Sequence, residues 1–253
     1  MFYNLSSNMA NKFERLPYKD ASHQILYGLA HFMVGQYLVI EYDTAVAGSR
    51  FLKDNGPRVD AITHTRAIEP AVAAIAEEER ALPTMAKIEL FEDPRYKKLG
   101  IQLGDIIELV DAFPVRRESP GHSSLRIPQR HLREGKAVGM FAQGTRNYNF
   151  NSLYKGAALL SYLENVPLQP IVIASQPICH SGFQRQEIIR VIASRPLRHN
   201  PDLRKREAID RLTDDLSLVF ERDFRRARHW ANFDAQHNKM CRLKMPGRIR
   251  RYA

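Results

Sequence analysis

The stretch FAQGTRNYNFNSLYKGAALLSYLENVPLQPIVI, Phe141 to Ile173, decides the reading of the fold. KAVGMFAQGT, just overlapping it, is an apolar strand that runs into a turn at Gly144. SLYKGAALLSYLEN has the pattern of a helix, and VPLQPIVIAS is a second strand. A glycine directly after a strand lets the backbone turn sharply and approach a ligand closely. The turn's N–H groups, the Thr145 hydroxyl and the Arg146 guanidinium together suit a phosphate. The plainer alternative is a structural turn with Arg146 in water. Gln143, immediately before the glycine, has the shape of a glutamate without its charge.

The same alternation extends outward. Upstream, Gly56-Pro57 marks a turn and RVDAITH is a short strand that delivers His64 at its end. EPAVAAIAEEERAL, Glu69 to Leu82, is helical, with Pro70 in its first turn. Thr84 to Phe113 reads strand, short helix, strand, and SSLRIPQRHLREG, Ser123 to Gly135, is a helix carrying Pro128. Downstream, QEIIRVIASRPL adds a strand. A long, charged amphipathic helix then starts at the Asn200-Pro201 cap. The fold class this predicts is α/β, a mixed β-sheet covered by helices. An N-terminal apolar helical segment precedes it, and a C-terminal amphipathic helix and the basic, loosely ordered tail RLKMPGRIRRYA follow it.

Composition narrows the partners. The 253 residues are 44% hydrophobic, ample for a core, and carry a formal net charge of +10. That balance favours an anionic partner, whether nucleic acid, an anionic membrane surface or a phosphorylated substrate. No reading motif or aromatic platform accompanies the arginine-rich segments RDFRRARHW and RLKMPGRIRR, so no nucleic-acid partner is expected. Cys179 and Cys241 have neither metal nor redox spacing, and Met1 to Asp20 is too polar for a secretory leader. ILYGLAHFMVGQYLVI, Ile25 to Ile40, is strongly apolar. It falls short of the roughly 18–20 residues of a spanning helix, which leaves a buried or an interfacial helix.

His64 stands where a strand ends, with Glu69 five positions later at a helix start. In α/β sheets, reactive groups gather at the carboxyl ends of strands. A turn between the two would bring the carboxylate back to the imidazole, freeing the other ring nitrogen to take a proton from a hydroxyl; a purely structural pair is the plainer alternative. No serine nucleophile accompanies the pair, so the attacking oxygen belongs to a substrate. No second His or Cys lies at ligand spacing, so no metal is expected.

Taken in order, these segments resemble the glycerolipid acyltransferases of the 1-acylglycerol-3-phosphate acyltransferase type, from about Leu26 to Leu218. The family's first motif is Asn-His, four residues, then Asp; here THTRAIEP gives Thr63-His64, four residues, then Glu69. Its second, a Lys-x-Glu strand followed by Pro, Gly and a further strand, is matched through Lys87, Glu89, Pro94, Gly100 and Gly104. Its third, Phe-Pro-Glu-Gly-Thr-Arg-Ser, is matched by FAQGTRN through Phe141, Gly144, Thr145 and Arg146. YKGAALL and VPLQPIVI match its later Lys-x-Gly-Ala helix and Val-Pro-x-x-Pro strand.

The resemblance implies transfer of a fatty acyl group from a coenzyme A or acyl-carrier-protein thioester to a hydroxyl on a glycerol-phosphate-type lipid, with no cofactor. His64 is then the general base and Glu69 its orienting carboxylate, while Gly144, Thr145 and Arg146 cradle the acceptor's phosphate with Lys87 nearby. The enzyme would sit on the cytoplasmic face of an anionic membrane, peripherally or monotopically. Residues 1–50 form the membrane-associating segment, 51–232 the catalytic domain and 233–253 the basic tail. Three departures stand out. Glu69 replaces an aspartate, Thr63 an asparagine and Gln143 a glutamate, which assigns Gln143 a part in tuning the acceptor. The family's arginine after the second motif has only Arg116 or Arg117 to stand in for it. A relative that binds lipid or thioester without turnover is the alternative these departures leave open.

Overall fold

A computed structural model describes residues 35, 38, 42–53, 56–77, 82–98, 101–108, 111–115, 122–177, 187–238 and 250–252. Arg116, Arg117, both cysteines and all of the apolar Ile25–Ile40 segment except Gly35 and Leu38 lie outside them.

The strands are β1 (Tyr42–Ala47), β2 (Arg58–Ile62), β3 (Met85–Lys87), β4 (Lys97–Lys98), β5 (Ile101–Gln102), β6 (Phe113–Val115), β7 (Ala137–Phe141), β8 (Leu168–Pro177), β9 (Glu187–Ala193) and β10 (Arg250–Tyr252). The α-helices are α1 (Glu69–Ala76), α2 (Glu89–Glu92), α3 (Leu103–Glu108), α4 (Arg126–Arg133), α5 (Gly156–Glu164) and α6 (Lys205–Asn238). Six strands form one sheet in the order β10-β1-β9-β8-β2-β7. β7, β2 and β8 run parallel, as do β9, β1 and β10, and the two sets meet at the antiparallel β8–β9 pair. This is the mixed, helix-covered sheet the sequence predicts.

Strand alternation sends side chains to two cores. On one face Val59, Ala61, Leu168, Val172 and Ala174 pack with Leu212, Leu216 and Phe220 of α6 and Leu160 of α5. On the other, Ile62, Ile171, Ile173, Ile189 and Val191 pack with Val72, Ala73 and Ile75 of α1 and with Leu38. Along α6 the buried positions Ala208, Leu212, Leu216, Phe220, Phe224, Ala227 and Ala231 fall three or four apart, the stripe of a helix lying on a sheet. Three of its exposed arginines pair within the helix: Arg222 and Arg226 with Asp223, Arg225 with Glu221.

Several boundaries differ from the sequence reading. Tyr42–Ala47, read there as no element, is a strand beside β9, and Arg250–Tyr252 of the basic tail pairs with β1. The sheet therefore takes strands from both segments that flank 51–232. α6 begins at Lys205 rather than at Asn200. The Asn200 side chain instead accepts from the Asp202 N–H at 3.0 Å, closing a separate turn just ahead of the helix. Pro128 lies in the first turn of α4, where a missing N–H breaks no helical bond, so it causes no kink.

Two buried charge groups hold the layers. Arg190 of β9 is wholly buried and donates to the Asp43 carbonyl at 2.6 Å, the Asp43 carboxylate at 3.1 Å and the Asp234 carboxylate at 2.8 Å. Its guanidinium lies 5.1 Å from the ring centroid of Trp230, whose edge meets Tyr252. One side chain thus ties β1, β9 and α6 together, and Trp230 carries the contact on to Tyr252 of β10. Beneath α1, Arg58 bonds both Asp60, at 2.8 Å, and Glu77. One buried guanidinium cannot neutralise two buried carboxylates. Burial, and then the Asp60 charge, push the Glu77 carboxyl up from 4.5 to about 8 against the pull of Arg58.

The folded protein therefore keeps a proton on Glu77 that the unfolded chain has released, so stability falls as pH rises through this window. For one proton the slope reaches about 1.4 kcal/mol per pH unit. Denaturant unfolding from pH 4.5 to 8.5 should show this fall in the wild type and a flatter profile in Glu77→Gln. Equal slopes would remove Glu77 from the account.

Candidate active site

Residues on two adjacent strands meet at one edge of the sheet because the register puts them there. β2 and β7 are parallel with Ile62 opposite Phe141, which places His64 opposite Gln143, each two residues past its strand. On the other side β2 abuts β8, and Thr63 takes over where the ladder ends. Its N–H donates to the Ile171 carbonyl at 3.1 Å, and its hydroxyl accepts from the Ile173 N–H at 2.9 Å.

His64 has Nδ1 3.1 Å from Glu69 Oε2. Glu69 is the first residue of α1, is 1% exposed, and sits at the end of the helix where a negative charge is favoured. It also accepts from the Thr65 N–H at 2.6 Å through Oε2 and from the Thr65 hydroxyl at 2.5 Å through Oε1. Three donors fix the carboxylate, and its extra methylene spans the distance back from the helix to the imidazole. Glu69 as acceptor assigns the ring hydrogen to Nδ1. Nε2 then carries a lone pair, and it has no partner among the described residues. The Phe141 ring lies 4.4 Å from the imidazole, centroid to centroid, and backs it from β7.

The turn after β7 is built around Gly144 and Asn147. Gly144 has φ 67°, and a Cβ there would come within 2.5 Å of the Tyr154 ring, so a larger residue would be strained and would displace that ring. The Tyr154 N–H donates to the Ala142 carbonyl at 2.8 Å and closes the loop. The Asn147 side-chain amide donates to the Thr145 carbonyl and hydroxyl, both at 3.2 Å. A hydroxyl that accepts this bond keeps its own hydrogen to donate outward. Thr145 and Arg146 are exposed, and no ion pair engages Arg146 among the described residues.

The structure thus brings His64, Glu69, Gln143 and the Gly144–Arg146 turn together. Lys87 ends β3, a strand of a separate two-stranded sheet that reaches β7 through the Thr84–Gly139 bridge. Its ammonium adds to the effect of Arg95, the main cause that lowers the Asp93 carboxyl. Gln143 does not face outward, as a residue that tunes the acceptor by contact would. It is 2% exposed, and its amide bonds the His64 N–H and Asn147. The sequence reading missed Thr65, Asn147 and Arg66. Arg66, inside the His64–Glu69 loop, donates to Ser175 at 3.3 Å and pairs with Glu187, tying the loop to β8 and β9. Among the described residues no group of three His, Cys, Asp or Glu could hold a metal ion, and no helix is long and apolar enough to cross a membrane.

A family model described as Acyltransferase matches residues 43–174, from β1 to the middle of β8. The chain belongs to the acyltransferase family. It is similar to the 1-acyl-sn-glycerol-3-phosphate acyltransferase of Bacillus subtilis (strain 168), 29% identical over 162 residues, covering 63% of this chain and 77% of that protein. It is also similar to the 1-acyl-sn-glycerol-3-phosphate acyltransferase of Streptococcus pneumoniae (strain ATCC BAA-255 / R6). There the identity is 26% over 167 residues, 65% of this chain and 59% of the relative. The crystal structure of the 1-acyl-sn-glycerophosphate (LPA) acyltransferase from Thermotoga maritima matches with a TM-score of 0.56 at 13% identity, covering 86% of this chain and 89% of that one. That likeness shows a shared fold. The shared family makes the chain an acyltransferase.

The contact between Glu69 and His64 gives a direct prediction. Glu69→Gln can keep its carbonyl oxygen on Nδ1 and the Thr65 N–H and turn its amide to the Thr65 hydroxyl, so it removes the negative charge beside the ring. In this acyltransferase kcat should fall about 10²- to 10⁴-fold, the range for a disabled general base. The KM for the acceptor should stay within about threefold. A rise in KM with kcat unchanged would mean that Glu69 holds substrate instead.

Proposed function

We propose that this acyltransferase moves a fatty acyl group from a coenzyme A or acyl-carrier-protein thioester to the free hydroxyl of a lysophosphatidic acid-type lipid. The observation that carries the mechanism is the 3.1 Å contact between His64 Nδ1 and Glu69, beside a turn that presents Thr145 and Arg146. His64 Nε2 takes the proton of the acceptor hydroxyl as its oxygen attacks the thioester carbonyl. The tetrahedral intermediate collapses, the carbon–sulfur bond breaks, and the imidazolium returns the proton to the departing thiolate. Glu69 holds the ring and stabilises its charged form between the two transfers.

The acceptor's phosphate rests on the backbone at Gly144, the Thr145 hydroxyl and the Arg146 guanidinium, with Lys87 adding positive charge from the neighbouring strand. This fixes the acceptor hydroxyl near Nε2, and such positioning is itself a large part of catalysis. The net charge of +10 supports a meeting with the lipid at an anionic bilayer surface, on its cytoplasmic face. Residues ahead of β1 make the apolar contact in this reading.

The test is thiol release from palmitoyl-coenzyme A by purified protein with vesicles. Lysophosphatidic acid, glycerol 3-phosphate, other lysophospholipids and no acceptor are compared, with acyl carrier protein thioester as a second donor. Release that requires lysophosphatidic acid and is lost in His64→Ala is the expected result. No acceptor-dependent release from either donor would point to a relative that binds lipid without turnover. Arg146→Ala should raise the acceptor KM roughly 10- to 100-fold, the effect of losing one charge-assisted hydrogen bond. An unchanged KM would remove Arg146 from the phosphate site.

A further inference from the structure

We propose that Gln143 and Asn147 act as a matched pair that positions the catalytic base, and that the amide of Gln143 is needed because an ionised carboxylate cannot complete the pair. The proposal rests on the reading of His64 as general base.

The bonds form a closed ring. The His64 N–H donates to Gln143 Oε1, and Gln143 Nε2 donates to the Asn147 carbonyl and, at 3.2 Å, to Asn147 Oδ1. The Asn147 N–H then donates back to the His64 carbonyl at 2.9 Å. Both peptide groups of His64 are therefore held by the loop that also carries Thr145 and Arg146. Asn147 continues the wiring. Its Oδ1 accepts from the Asn149 N–H at 2.8 Å, while its Nδ2 holds Thr145. The base and the proposed phosphate cradle thus share one rigid frame.

Gln143 fills its place with an acceptor on one side and a donor on the other. Its oxygen faces a donor, and both of its hydrogens face oxygens of Asn147, so no donor is left for a substrate. An ionised carboxylate at this position is acceptor-only. It would keep the bond from the His64 N–H but turn a bare oxygen toward the two oxygens of Asn147, in a site 2% exposed. A buried charge next to unpaired acceptors is relieved by moving the loop, which holds His64, or by taking up a proton that restores a donor, so the loss deepens as pH rises. The glutamine at 143 thus acts on the acceptor indirectly, through where the base stands.

Gln143→Glu is the test, assayed with the acceptor that the wild type uses. We expect kcat to fall about 100-fold, the effect of misplacing a reacting group by about 1 Å, with the acceptor KM within about twofold and the preference among acceptors unchanged. Raised activity or a reordered acceptor preference would show that residue 143 meets the substrate, and would overturn the proposal. If Gln143→Glu does not fold, Gln143→Met keeps the volume and buries no charge, and carries the same expectation. A second readout does not need turnover. In ¹⁵N-histidine spectra the His64 ring signals should shift in Gln143→Glu and in Asn147→Ala, and by no more in the double variant than in the larger single one. Unshifted His64 signals would overturn the proposal. A wild type without transferase activity but with these shifts would instead refute the proposed reaction and leave the positioning intact.

Discussion

The parallel ladder between β2 and β7 is the constraint on which the rest of the site depends. With Ile62 opposite Phe141, residues two positions beyond each strand face one another, and His64 meets Gln143. A slip of one residue would turn His64 into a core face and bring a different residue beside the turn. The register is secured from both sides. Val59, Ala61 and Ile62 alternate between two apolar cores, and the Thr63 hydroxyl bonds β8 where the ladder stops. The geometry of the candidate site is a consequence of strand register, to which α1 adds Glu69.

The long helix α6 and the buried Arg190 extend the same logic to the far side of the sheet. A single guanidinium that bonds Asp43 and Asp234 and lies against Trp230 joins two strands to the helix that covers them. Such a charge is costly to desolvate and is tolerated only because its donors are met. The Arg58, Asp60 and Glu77 group is the opposite case, with more buried negative charge than positive. A retained proton on Glu77 resolves the imbalance.

Much of this was legible from the residues. Alternating strand and helix patterns gave the α/β class, and the spacing of His64 and Glu69 at a strand end and a helix start anticipated their contact. Gly144 announced a turn, and its positive φ against the Tyr154 ring is the physical reason. What stayed hidden depends on partners far away in sequence. Nothing local marks Tyr42–Ala47 as a strand, because it is stabilised by β9 and β10 from the other end of the chain. The Asn200-Pro201 pair signals a cap, but the cap serves a turn rather than the helix. Gln143 reads as a neutral stand-in for glutamate until its amide is seen between His64 and Asn147, a relation that requires the fold. Thr65 gave no signal either, since its bonds to Glu69 follow from how the loop closes.

The central claim is that Glu69 holds His64 with its hydrogen on Nδ1, leaving Nε2 free to act as base. The most direct measurement is the ¹⁵N spectrum of the folded protein labelled at histidine, recorded above the imidazole's titration. His64 should show a protonated, hydrogen-bonded Nδ1 and an unprotonated Nε2, with the Nδ1 signal moved in Glu69→Gln. A proton on Nε2 in the neutral ring, or a spectrum indifferent to Glu69, would contradict the account.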